Sequence, residues 1–143
     1  MRKDGGRDEM RPLELIALAR EARERAYAPY SGFRVGAALL TKAGRVYTGC
    51  NIENAAFTPT NCAERTAFFE AVSRGEREFV AIAIVGGRGR QAAGFCPPCG
   101  VCLQVMREFC PPDFRLYLAG GDDTYQEWTL ADLLPQGFGP DRL

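Results

Sequence analysis

Apolar positions recur along the chain with two different periods, and their alternation predicts a mixed α/β domain. After a polar stretch from Met1 to Arg11, Pro12 can occupy a first helical turn, and Leu15, Leu18, Ala19, Ala22 and Ala26 share one face. That pattern predicts an amphipathic helix ending near Pro29. Phe33 to Thr41 and Arg45 to Cys50 are rich in strand formers and flank Lys42-Ala43-Gly44, which predicts a hairpin. Asn51 to Asn61 reads as irregular. Cys62 to Ser73 has helical composition, with Thr60 or Asn61 available as cap and Gly75 as terminator. Phe79 to Val85 is an unbroken, β-branched apolar run, as in a central strand buried on both faces and parallel to a neighbour. A glycine-rich loop is expected from Gly86 to Pro98. Val101, Val105, Met106 and Phe109 then keep helical spacing until Pro111-Pro112 stops them. Phe114 to Leu118 and Tyr125 to Trp128 predict two short strands, and Thr129 to Asp132 a capped final turn. The order α-β-β-α-β-α-β-β-α implies a three-layer α/β/α sandwich with a mixed five-stranded sheet. The expected division is a flexible lead over residues 1–11 and one domain over 12–143.

Composition narrows the class. With 143 residues, 46% hydrophobic and 25% charged, the chain suits a single ordinary core. Eighteen Lys and Arg balance eighteen Asp and Glu. No basic excess exists to hold a phosphate backbone or an anionic membrane surface, so neither nucleic acid nor membrane is expected as a partner, and a small ligand is favoured. No apolar run approaches the roughly 20 residues that span a bilayer, and the charged N-terminus precedes no secretory segment, so a cytoplasmic location is expected. Six cysteines in such a chain point to metal binding or catalysis before disulfides. Because the chain has no histidine, any transition-metal site must be built from thiolates and carboxylates.

Cys99-Gly100-Val101-Cys102 has the spacing that lets two thiolates meet one ion at a helix start, and Cys62 repeats that placement earlier. Unsatisfied backbone N–H groups and the positive end of a helix dipole favour thiolate there. Three protein ligands leave a zinc ion's fourth position to water, whose pKa falls from 15.7 to about 7. Glu64, two residues after Cys62, fits a general acid and base that is not itself a ligand. Cys62-Ala63-Glu64 followed by Pro98-Cys99-Gly100-Val101-Cys102 matches the three-cysteine form of the zinc-deaminase signature. One zinc per chain is expected, with a net charge of −1 on the three-thiolate site. Arg65 is expected to donate to a ligand sulfur and offset that charge.

Four strings in order carry a resemblance: Tyr30-Ser31-Gly32-Phe33-Arg34-Val35-Gly36-Ala37-Ala38, Gly49-Cys50-Asn51-Ile52-Glu53-Asn54-Ala55, Cys62-Ala63-Glu64-Arg65-Thr66-Ala67, and Pro98-Cys99-Gly100-Val101-Cys102. Over Leu13 to Phe138 the chain resembles the small, zinc-dependent, three-cysteine cytidine deaminases. The resemblance implies a cytidine deaminase-like catalytic domain that converts cytidine and 2′-deoxycytidine to uridine, 2′-deoxyuridine and ammonia in pyrimidine salvage. Zinc-activated water would attack C4 while Glu64 shuttles protons. It also implies that Asn51 and Glu53 grip the ribose 3′-hydroxyl, that the Ala63 backbone N–H meets the pyrimidine carbonyl, and that Phe33 packs on the base. A homotetramer is implied, with Phe138 closing a neighbouring subunit's site. Two positions depart from the family: Leu103 stands where Arg is usual, which shifts the charge balance toward Arg65 and Gln104, and Phe57 stands where Tyr is common.

Alternatives carry their own signatures. Glu64 could close an Asn-x-x-Glu capping box with Asn61, and Cys96 could complete a structural four-cysteine zinc module. A deaminase of a cytosine-containing antibiotic nucleoside would share the zinc strings, as would a polynucleotide-editing one, against which the balanced charge argues. Cys50 and Cys110 read as small buried hydrophobes, Phe68, Phe69 and Trp128 as core or interface aromatics, and Arg88 and Arg90 as solvated loop cations.

Overall fold

The computed structural model describes residues 10–92 and 94–143. The elements follow the predicted order: α1 (Pro12–Arg23), β1 (Phe33–Thr41), β2 (Val46–Cys50), α2 (Ala63–Ser73), β3 (Phe79–Arg88), α3 (Gly100–Phe109), β4 (Arg115–Ala119), β5 (Tyr125–Thr129) and α4 (Leu130–Leu133), with a final 3₁₀ turn at Pro140–Arg142. The expected lead falls largely outside the described residues. Of its last two, Met10 packs against the core.

The five strands form one sheet in the order β2-β1-β3-β4-β5. β3 lies at its centre, antiparallel to β1 and parallel to β4, as its apolar run predicts. Strand alternation sorts the core into two layers. Val35, Ala37, Leu39, Ile82, Ile84, Leu116 and Leu118 face α2 and α3, where Phe68, Met106 and Phe114 fill the space. Ala38, Leu40, Ala81, Ala83 and Val85 face Leu15, Ile16 and Ala19 of α1. The small residues on that second face let α1 lie close. A Cβ at Gly36 would stand 2.1 Å from the Ala19 carbonyl oxygen, so only glycine fits the contact. Among the described residues no helix is long and apolar enough to cross a membrane.

Three boundaries differ from expectation. α1 ends at Arg23, well before Pro29, because the Tyr27 N–H donates to the Asn51 carbonyl at 3.0 Å and the Glu53 N–H to the Tyr27 carbonyl at 2.8 Å. Pairing with a distant loop overrides local helical tendency. β3 runs on to Arg88 where a glycine loop is expected, since Val35, Arg34 and Phe33 supply ladder partners for Gly86, Gly87 and Arg88. At α2 the cap is Cys62 itself. Asn61 turns away and donates from Nδ2 to the Thr66 hydroxyl at 3.1 Å, so it forms no capping box with Glu64. Thr129, by contrast, forms the expected cap with Asp132.

Candidate active site and metal centre

Cys62 and Cys99 occupy equivalent places, each the extended residue just before a helix, and Cys102 follows in the first turn of α3. Neither helix start carries a side-chain cap, which leaves the backbone N–H groups and the dipole turned toward the sulfurs. The three sulfur atoms lie within 4.8 Å of one another. Cys102 is buried, Cys62 half-buried and Cys99 exposed.

Tetrahedral coordination with metal–sulfur bonds of about 2.3 Å requires sulfurs about 3.8 Å apart. The Cys62 and Cys99 sulfurs are separated by 3.8 Å. The donor set therefore fits one zinc ion held by Cys62, Cys99 and Cys102. Cys96 is not drawn into this group: its sulfur sits where a Cβ on Gly86 would meet it at 2.8 Å, and its thiol is pushed up to about 11 by burial and by the negative charges of Glu64 and Cys62. The four-cysteine arrangement is not formed.

The cluster is electrostatically prepared for a cation. A hydrogen bond from the Cys102 thiol, reinforced by Arg65 and Cys99, brings Cys62 down to about 5, so Cys62 is a thiolate at neutral pH. Cys102, as the donor in that pair, is held protonated well above the usual thiol range. Arg65 Nη2 donates to the Cys62 sulfur at 3.3 Å, the contact its sequence position predicts. Burial opposes the Arg65 charge, yet its bonds to Cys62 and Cys102 outweigh that cost and raise its pKa.

Glu64 follows in the first turn of α2 and is 4% exposed. Desolvation is the largest influence on it and, with the neighbouring Cys62 charge, lifts its carboxyl to about 7. A carboxyl that gains and loses a proton near neutrality suits general acid and base work. The Ala63 N–H, which precedes it at the helix start, receives no side-chain cap.

Phe33, Asn51 and Glu53 converge where β1 begins and β2 ends. Phe33 opens β1, half-buried against the core, with the Arg88 guanidinium carbon 5.8 Å from its ring centre. Asn51 is buried and spans β1: its Oδ1 accepts from the Val35 N–H at 2.8 Å, and its Nδ2 donates to the Phe33 carbonyl at 2.8 Å. Glu53 accepts from the Tyr30 and Ser31 N–H groups at 2.9 and 3.2 Å and from the Ser31 hydroxyl. Those bonds, the hydroxyl's above all, hold its carboxyl below the ordinary range. A cleft of about 430 Å³ lies beside it, lined by Tyr30, Ser31, Glu53, Asn54, Phe57 and Thr60.

Two expectations need correction. Gln104 does not join the sulfurs; its Nε2 donates to the Phe138 carbonyl at 2.8 Å and docks the C-terminal segment on α3. Arg88 is not simply solvated, because it donates to the Ser31 carbonyl at 3.2 Å. Phe138 itself projects outward, 59% exposed, and Leu103 is buried in the core. Sequence reasoning missed Arg23, the hub described below. Its signal was an arginine on the apolar stripe of α1, four residues after Ala19.

Comparison with known proteins agrees with this geometry. The family model for the cytidine and deoxycytidylate deaminase zinc-binding region matches residues 11–118. The chain belongs to the cytidine deaminase family. Its relatives include a cytidine deaminase of Sporosarcina psychrophila, 51% identical over 91% of this chain and 93% of that one. Another, from Halalkalibacterium halodurans, is 54% identical over 87% and 91%. Among solved structures, the cytidine deaminase of Burkholderia pseudomallei superposes with a TM-score of 0.83 at 47% identity, covering 90% of this chain and 100% of that chain. The five-stranded sheet flanked by helices is thus the family's fold.

Proposed function

We propose that residues 12–143 form one catalytic domain that hydrolytically deaminates cytidine and 2′-deoxycytidine, giving uridine, 2′-deoxyuridine and ammonia. One observation carries the reading. A deeply buried carboxyl with its pKa near 7 stands two residues from the first of three thiols whose spacing suits a zinc ion with one position open.

When bound by Cys62, Cys99 and Cys102, zinc supplies Lewis acidity that lowers the pKa of water toward about 7. The chain's own groups do the rest. Glu64 takes one proton of the attacking water and passes it to N3 of the pyrimidine, then takes the second proton from the hydroxyl now on C4 and delivers it to the amino group, which leaves as ammonia as the C4 carbonyl forms. Water enters and ammonia departs, so atoms and charge balance. Arg65 offsets the negative charge of the thiolate shell. The Ala63 N–H meets the pyrimidine carbonyl and Phe33 packs on the base. Asn51 and Glu53 bracket the ribose 3′-hydroxyl. Asn51 keeps one amide N–H and Glu53 spare lone pairs for that purpose, beyond their bonds to the backbone.

A homotetramer completes the proposal, with Phe138 reaching a neighbouring subunit's site from its outward position in the C-terminal segment that Gln104 docks on α3. The enzyme is read as cytoplasmic and as serving pyrimidine salvage. Ultraviolet monitoring of cytidine, with zinc quantified on the same sample, tests the function. Loss of the cytidine band with one zinc per chain is expected; zinc-loaded protein that releases no ammonia would refute it.

A further inference from the structure

Arg23 ends α1 on its sheet-facing side and is 2% exposed. Its Nε donates to the Arg34 carbonyl at 3.0 Å and its Nη1 to the Arg90 carbonyl at 3.2 Å. Its Nη2 donates to the carbonyls of Gly87 and Gly89 at 2.6 and 2.7 Å. Four of a guanidinium's five N–H donors are thus spent on backbone. Among the described residues no ion pair includes it.

A buried cation held by carbonyl dipoles alone is costly, and an apolar side chain could fill the same space. What an apolar residue could not do is tie α1 to the start of β1, to the end of β3 and to the turn that follows it. That stretch runs through two glycines with positive φ, Gly87 at the end of β3 (+153°) and Gly89 in the turn (+81°), conformations that glycine adopts without a Cβ penalty. The tied segments carry functional side chains outward. Phe33 and Arg88 are the last cross-strand pair of β1 and β3. Arg88 reaches over the Phe33 ring and bonds Ser31, whose hydroxyl in turn holds Glu53.

We propose that Arg23 is a positioning residue for nucleoside binding, clamping the end of β3 and the turn after it, Gly87 to Arg90, to α1 and β1 so that Ser31, Phe33 and Arg88 form a fixed rim beside Glu53. The inference rests on the reading of Phe33 and Glu53 as substrate contacts. Because α2 and α3, which carry the thiols and Glu64, pack on the opposite face of the sheet, the clamp governs binding and leaves the chemical step alone.

The test compares wild type with Arg23→Met, Arg23→Lys and Gly89→Ala, reading KM and kcat for cytidine, zinc content, and tryptic cleavage after Arg88 and Arg90. Arg23→Met should raise KM by about tenfold, the equivalent of about 1.4 kcal/mol, with kcat within about twofold, zinc retained and cleavage accelerated. Lysine, which restores the charge and part of the bonding, should recover part of both effects. Gly89→Ala covers the case in which the Arg23 variants do not fold. Its Cβ would meet no atom within 4 Å, but the positive φ strains the turn, so KM and cleavage should rise by a smaller factor. An unchanged KM in the folded variants, or a loss of kcat and zinc together with KM, would overturn the proposal. No cytidine turnover by wild type would overturn the functional reading and this one with it, whereas normal wild-type turnover with unchanged variants overturns this one alone.

Discussion

The two ends of the candidate site are built on opposite principles. At the zinc end, helix starts are left uncapped, Glu64 is buried with a displaced pKa, and one Arg65 nitrogen, Nε, is buried without a partner among the described residues. At the end proposed for the sugar, Asn51 and Glu53 are already bonded to the chain's own backbone. The first end keeps its bonding capacity open for a cation and a reaction; the second uses most of its own to hold a shape. Groups held in costly states lend themselves to chemistry, and groups already satisfied lend themselves to precise placement. Substitutions at the first end should therefore strike turnover and metal, and those at the second should strike stability and KM.

The largest effect is expected at a ligand. Cys102→Ser replaces a buried thiol with a hard, weak donor, so zinc content measured by elemental analysis should fall toward zero and activity with it. The fold should survive, because Met106 and Leu103 still anchor α3 in the core. Retained zinc and activity would break the ligand assignment. Next comes Glu64→Gln, which preserves shape and removes the proton carrier. Its kcat should drop by about 10² to 10⁴, with zinc and melting behaviour retained. Wild-type turnover would show that Glu64 only fills space.

The same substitution in metal-free, reduced protein should act in the other direction. Glu64 titrates near 7 in the folded chain against an ordinary 4.5. Between those values the folded state binds more protons than the unfolded one, so this group's contribution to stability falls as pH rises. Above pH 7 the ionised carboxylate costs up to about 3 kcal/mol. Metal-free Glu64→Gln should be the more stable protein at pH 8, by an amount that shrinks toward pH 4.5. Denaturant titrations at several pH values measure it, and a pH-independent difference would mean that desolvation does not set the Glu64 pKa.

The contrast between the ends also explains what could be read in advance. Cys62, Glu64, Cys99 and Cys102 sit in two short strings at helix starts, where spacing along the chain almost determines spacing in space. The order of elements along the chain and the central, parallel-paired place of β3 were legible for a similar reason, since alternation and the apolar run of β3 are local signals. The early end of α1 and the extension of β3 were not, because each depends on partners far along the chain: Asn51 and Glu53 for Tyr27, and Phe33 to Val35 for Gly86 to Arg88. Local composition argues for helix up to Pro29 and for loop from Gly86, and pairing wins in both places. Arg23 illustrates the same limit. Its position shows an arginine on an apolar face, but only the fold brings Arg34 and the stretch from Gly87 to Arg90 to it.

The smallest expected effect is the most discriminating. Asn51→Ala leaves the Val35 N–H and the Phe33 carbonyl, both at the start of β1, without side-chain partners. Val35 is buried, so its orphaned N–H bears most of the desolvation cost, while Phe33 is only half-buried. The loss should come to about 2 kcal/mol, visible as a lower denaturation midpoint at unchanged m-value. KM should rise because Phe33 shifts, while kcat at saturation stays close to wild type. Asn51→Asp refines the test: it keeps an acceptor for Val35 but sets a carboxylate oxygen against the Phe33 carbonyl, so it should be no more stable than the alanine variant. If Asn51→Ala instead kept full stability and lost only binding, the amide would be a sugar ligand with no part in holding the strand. The division between an open zinc end and a self-satisfied sugar end would then fail at its best-defined residue.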